Sequence, residues 1–235
     1  MTDTHMQEKP QQVHQRLLRA YGQRTKDRFS DPVAQLVSTI ISQNTNDALR
    51  DKAYDCLRER FSTWEQVRDA PTEEVVAAIK IAGLSQHKGP NIQAALRHIT
   101  KERGVLTLGF LKDLAVEEAK QWLMAMKGVG PKTAAIILLF SLDMPALPVD
   151  THVHRVTRRL GLIPEKASRE KAHVLLEEMM PPETYYAFHL NVIRHGREVC
   201  HARRPSCDQC ILCDLCDDCS TVAHSRPDLA TGQGD

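Results

Sequence analysis

The chain has 235 residues, with 31 Lys and Arg against 30 Asp and Glu, a formal charge of +1 and 42% hydrophobic residues. That is ample material for a real core; with no secretory signal and no apolar run able to span a bilayer, it reads as a cytoplasmic monomer with no membrane partner. Net charge alone does not announce a nucleic-acid binder, so any such contact must come from local patches such as Arg155, Arg158 and Arg159, or His201, Arg203 and Arg204.

Residues 1–10 are polar and read as a disordered tail, and a short amphipathic helix is expected over 13–21. Asp31-Pro32 opens the next helix, with Val33, Leu36, Val37, Ile40 and Ile41 at helical spacing. The polar stretch Ser42-Gln43-Asn44-Thr45-Asn46-Asp47 follows. It is either a loop and cap for a helix over 48–60 or a polar finger reaching into a cleft. Further helices are expected over 64–69, 72–81, 87–102, 111–125 and 132–142, punctuated by Pro71, Gly83, Gly104 and Gly128. No segment alternates as a strand does, so the fold class is all-α.

The chain is organised around residues 123–151, which contain Met126-Lys127-Gly128-Val129-Gly130-Pro131-Lys132-Thr133-Ala134 and then Leu147-Pro148-Val149-Asp150-Thr151. The glycines permit backbone angles closed to other residues and leave no side chain between the chain and a ligand, and Pro131 suits a first helical position. Such a turn offers unpaired N–H groups and positive dipole to an anion, a DNA phosphate for example. By itself it could also be an ordinary turn between helices. It lacks the spacing of a Walker loop or a dinucleotide fingerprint, so no nucleotide cofactor is expected. Residues 134–142 are apolar on every face and predict a buried helix that holds Lys132 rigidly at its exposed start. Helices over 151–161, 168–179 and 183–196 come next, and residues 220–235 read as a second disordered tail.

Six of the seven cysteines fall between Cys200 and Cys219. Without a secretory signal, that crowding points to a metal centre rather than a disulfide framework. Cys200, Cys207, Cys210 and Cys216 have the spacing C-x6-C-x2-C-x5-C, with Cys213 and Cys219 in addition. A compact run of this sort favours iron–sulfur over zinc, whose structural sites usually bring two separated ligand pairs. Spacing does not say which four bind. The loop holding His201, Arg203 and Arg204 could meet a DNA backbone, or could offset the charge of a cluster and its acidic neighbours.

Taken together, hairpin, aspartate and cysteines resemble the endonuclease III family of helix-hairpin-helix DNA glycosylases, from about residue 30 to Cys216. MKGVGPKTA resembles its hairpin, LPVDTHVHRV its VDTH segment, and the cysteine spacing its [4Fe–4S] signature. The resemblance implies two helical domains: a six-helix domain over 30–145 with the helix-hairpin-helix at about 111–142, and a cluster domain of 11–29 plus 146–219. It selects Cys200, Cys207, Cys210 and Cys216 as cluster ligands and leaves the state of Cys213 and Cys219 open.

The implied function is base-excision repair of double-stranded DNA containing oxidised pyrimidines, such as thymine glycol, or abasic sites. Lys132 would attack C1′ of the sugar and nick the strand by β-elimination through a Schiff base. For that it must be an uncharged amine, which desolvation and the helix dipole both favour. Asp150 would accept a proton or stabilise the cationic sugar, although before Thr151 it could be an N-cap and no more. The family fills the gap left by a flipped base with a Gln and wedges the other strand with a Leu. Leu84 matches the wedge, whereas the Gln position holds Asn44, with Gln43 one place earlier. Gly128, Val129, Gly130, Thr133, Lys88, Arg203 and Arg204 complete the expected DNA contacts. Mismatch- or adenine-specific monofunctional relatives lack this lysine, and the adenine-specific ones usually carry an extra C-terminal domain where this chain stops. A non-catalytic DNA-binding iron–sulfur protein would have no use for Lys132 with Asp150, nor an electron carrier for the hairpin.

Overall fold

The computed structural model describes residues 4–23 and 31–219. The expected tail at 220–235 lies outside the described residues. Every regular element among them is a helix, as the all-α reading expects. The chain divides into two compact units, one built from residues 31–148 and the other from residues 4–23 with 149–219.

The first unit contains α2 (Pro32–Ser42), α3 (Asp47–Arg60), the six-residue α4 (Trp64–Asp69), α5 (Thr72–Ala78), α6 (Ser85–Arg103), α7 (Val116–Met124) and α8 (Pro131–Ser141). Local chemistry sets their starts. Asp31 accepts from the Val33 N–H with Pro32 in the first turn, Asn46 accepts from the Leu49 N–H, and Thr63 forms a reciprocal capping box with Gln66. One apolar core runs through the unit, and Ile40, Leu57, Ile79, Leu96, Leu123 and Leu138 within it are fully buried. Two expected helices are shorter than their periodicity suggested. The stretch 72–81 breaks into α5 and a 3-10 turn at Lys80–Ala82, because Gly83 and Leu84 follow at φ +67° and +51°. Glu118 reaches back to the Ala115 N–H at 3.2 Å, so α7 starts there, after a separate 3-10 turn at Gly109–Asp113.

The second unit contains α1 (Thr4–Tyr21), α9 (Thr151–Arg159), α10 (Arg169–Met179) and α11 (Tyr185–Glu198), followed by 3-10 turns at Cys207–Gln209 and Cys213–Leu215. Val13, Leu17, Val153, Val156, Phe188 and Val192 supply its core. Here the sequence reading needs correction: residues 4–10 belong to α1 rather than to a disordered tail. Tertiary ties explain the difference. Lys9 pairs with Asp217 at 2.8 Å, and Arg16 pairs with Asp214 and donates to the Ile211 carbonyl at 3.2 Å.

Candidate functional site

Between α7 and α8 the chain turns through Gly128 at φ +84°, and a Cβ there would stand 2.7 Å from the Asn91 side-chain nitrogen. From the other side, the Gln43 amide donates to the Gly128 carbonyl at 2.9 Å. The turn is thus clamped twice, and only glycine fits it. Gly130 is different: a Cβ there would meet nothing within 4 Å, so its backbone faces open space. Pro131 occupies the first turn of α8, and among the described residues no side chain caps that end. N–H groups at the start of α8 are therefore left for an external acceptor.

Lys132 lies in this first turn and is exposed. Its helix is anchored by Ala134, Ala135, Ile137 and Leu138, all fully buried, so the expected rigidity is present. The expected desolvation is not supplied by the surrounding residues. Val129 and Thr133 are buried, 6% and 5% exposed. What they can offer a ligand is backbone.

In the other unit, Asp150 is the N-cap of α9, its Oδ1 accepting from the Val153 N–H at 2.8 Å. Capping holds this half-buried carboxylate in one orientation.

The loops after α2 and before α6 separate the expected DNA contacts. Gln43 is occupied by the hairpin, whereas Asn44 is exposed in a left-handed conformation, φ +53°, which Asn adopts more readily than most residues. Leu84 is 53% exposed, also left-handed, and Ile81 beside it is 48% exposed. Lys88 is corrected outright. Only 3% of it is exposed, and its Nζ donates to the carbonyls of Ile41 at 2.8 Å and Ala82 at 2.9 Å, so its ammonium cannot meet a phosphate.

The six clustered cysteines divide into four and two. Cys213 and Cys219 form a disulfide, so the metal-centre reading does not extend to them, while Cys200, Cys207, Cys210 and Cys216 are free and half-buried. Burial pushes the Cys210 thiol up, and neighbouring Cys216, Cys200 and Cys207 add to the effect. Cys216 is raised by burial as well. His195 is buried, and desolvation lowers it to about 4, so its imidazole is neutral near pH 7. Tyr21 Oη lies 3.0 Å from Nδ1 of His195 and Cys210 Sγ lies 3.5 Å from its Nε2. With Tyr21 donating, the ring N–H points at the sulfur.

Arg155 and Arg159, expected to form a nucleic-acid patch, instead brace this segment. Arg155 donates to the carbonyls of Gly196 at 2.9 Å and Cys200 at 3.0 Å. Arg159 donates to the His201 carbonyl at 2.7 Å, the Ala202 carbonyl at 3.1 Å and the Cys200 sulfur at 3.3 Å. Arg203 and Arg204 remain exposed on the braced loop.

The chain is similar to known proteins in sequence and in fold. The model of the HhH-GPD superfamily base excision DNA repair proteins matches residues 37–182. Endonuclease III of Thermotoga maritima is 32% identical over 183 residues, covering 78% of this chain and 81% of that protein. A provisionally named DNA glycosylase of Arabidopsis thaliana is 36% identical over 162 residues, 69% of this chain, which spans only 55% of that relative's length. Among solved structures, a trapped endonuclease III–DNA covalent intermediate superposes with a TM-score of 0.77 at 28% identity, covering 91% of this chain and 98% of that one.

Proposed function

The chain belongs to the HhH-GPD superfamily of base excision DNA repair proteins and is a DNA glycosylase related to endonuclease III, and on that premise we propose that it is bifunctional, excising oxidised pyrimidines such as thymine glycol from duplex DNA and nicking the abasic product. The observation that carries this reading is Lys132, an exposed amine on the first turn of a helix locked into the core, beside an uncapped glycine turn.

In this reading the turn at Gly128 and Gly130 receives a phosphate, while Asn44 and Leu84 enter the space vacated by the flipped nucleotide. Docked DNA strips water from Lys132, and the uncharged Nζ attacks C1′ as the N-glycosidic bond breaks and the base departs with a proton. Asp150 takes the proton released by the amine or faces the cationic sugar. Opening of the sugar ring leaves a Schiff base to Lys132. Loss of a C2′ proton then breaks the C3′–O bond and nicks the strand 3′ to the lesion.

Cys200, Cys207, Cys210 and Cys216 suit a [4Fe–4S] cluster. Four thiols influence one another, and N–H groups of Arg159 and His195 stand 3.3 Å from the Cys200 sulfur and 3.5 Å from the Cys210 sulfur. Such donors suit thiolates carrying the negative charge of a cluster, and the compact run of four favours iron–sulfur over zinc. When bound, the cluster cross-links the segment that displays Arg203 and Arg204.

Borohydride trapping on duplex DNA with an abasic site tests the lyase. A covalent adduct is expected with the wild type and none with Lys132→Ala; no adduct with the wild type, or an adduct that persists in the variant, overturns it.

A further inference from the structure

Lys88, an expected DNA contact, is turned inward by the fold, and its partners there are informative. Its Nζ joins the carbonyl of Ile41, in the last turn of α2 just ahead of Gln43 and Asn44, to the carbonyl of Ala82, just ahead of Gly83 and Leu84. Both acceptors sit at helix ends, where carbonyls lack intrahelical donors and carry partial negative charge that a cation suits. An apolar side chain of the same length would leave two buried carbonyls unpaired.

The two loops it joins share an unusual property. Each turns on a non-glycine residue in the left-handed region, Asn44 at φ +53° and Leu84 at φ +51°, and each presents that residue to solvent. Such conformations persist only where the surroundings over-determine them. The backbone N–H of Lys88 also donates to the Leu84 carbonyl at 3.0 Å, so one residue holds the Leu84 loop at two points. On the far side, Gln43 carries the connection to the Gly128 carbonyl of the hairpin. Hairpin, Asn44 loop and Leu84 loop are thereby tied in series.

We infer that Lys88 is a positioning residue that locks the Asn44 and Leu84 loops into one rigid element, on which opening of duplex DNA depends and Schiff-base chemistry on an already open sugar does not. This rests on the bifunctional reading above. Burial lowers the Lys88 amine from its ordinary range, and the two carbonyls are the acceptors within its reach.

The test compares wild type with Lys88→Met in three assays: borohydride trapping on a single-stranded abasic oligonucleotide, nicking of a thymine glycol duplex, and fluorescence of 2-aminopurine opposite a stable abasic analogue in a duplex. Expected are trapping within about threefold of wild type, duplex nicking down roughly tenfold to a hundredfold, and loss of the 2-aminopurine signal. Equal loss in single-stranded and duplex assays, or no loss in either, overturns the inference. If Lys88→Met does not melt cooperatively, Lys88→Gln, which keeps donors but is too short to span both carbonyls, is judged by the same criteria. A wild type that traps nothing sinks the lyase instead, and the 2-aminopurine signal then decides for Lys88 alone.

Discussion

The hairpin and the cysteine segment are held in place by different forces. From Leu123 to Leu142 the backbone is fixed by apolar burial, with Leu123, Met126, Val129, Ile137 and Leu138 all in one core. From Cys200 to Cys219 only Leu212 and Cys219 are buried. That segment is held instead by arginines reaching its carbonyls, by the Cys213–Cys219 disulfide, and by ion pairs from α1 to Asp214 and Asp217. A hydrophobic core organises the hairpin before any ligand arrives. Charged cross-links without a buried core are expected to give the cysteine segment less intrinsic stability, and the proposed cluster would contribute more there.

Leu138 is fully buried in α8. Leu138→Ala removes core contacts and is expected to cost about 2.7–5 kcal/mol in urea unfolding; a loss below about 1 kcal/mol would mean that the core is not what fixes Lys132. Iron removal comes next. Purified protein is expected to be brown, and chelation should bleach it and speed trypsin cleavage after Arg203 at least tenfold, to about the degree that a local opening costing over 1 kcal/mol becomes free. Zinc in place of iron, or cleavage that does not change, would remove the cluster from the account.

The smallest effect is expected at Arg16, whose pair with Asp214 is half-exposed and contributes at most about 1 kcal/mol. Hydrogen bonding to Arg16 holds the Asp214 carboxyl below its ordinary range. A depressed carboxyl stabilises the fold above its unfolded pKa, and that contribution is lost as pH falls through the folded value. Wild type and Arg16→Ala should therefore differ near pH 7 and converge on acidification through the lower carboxylate range. A difference that persists in acid would point to packing of the arginine stem instead.

Several features were legible before any coordinates. Asp31-Pro32 and Gly128 ahead of Pro131 are short-range signals, and each marks an element end where expected. The buried α8 followed from its uniform apolarity. Lys88 could have been caught: Ser85, Lys88, Ile92, Leu96 and Ile99 recur at helical spacing, and all are buried. A basic side chain does not by itself name its acceptor: the guanidiniums of Arg155 and Arg159 serve carbonyls as well as they would serve DNA.

What sequence alone determined is what short stretches of chain encode: helices, their ends, the glycine turn, the lysine at its exit and the family to which these point. Only tertiary structure decided which cations face inward, which two cysteines pair, that Gln43 serves the hairpin while Asn44 stands free of it, and that residues 4–10 join a helix. Capping and backbone sterics act within a turn of chain, so they can be read locally. Burial and pairing depend on residues brought together from distant positions, as Lys9 is to Asp217, and no local pattern specifies them.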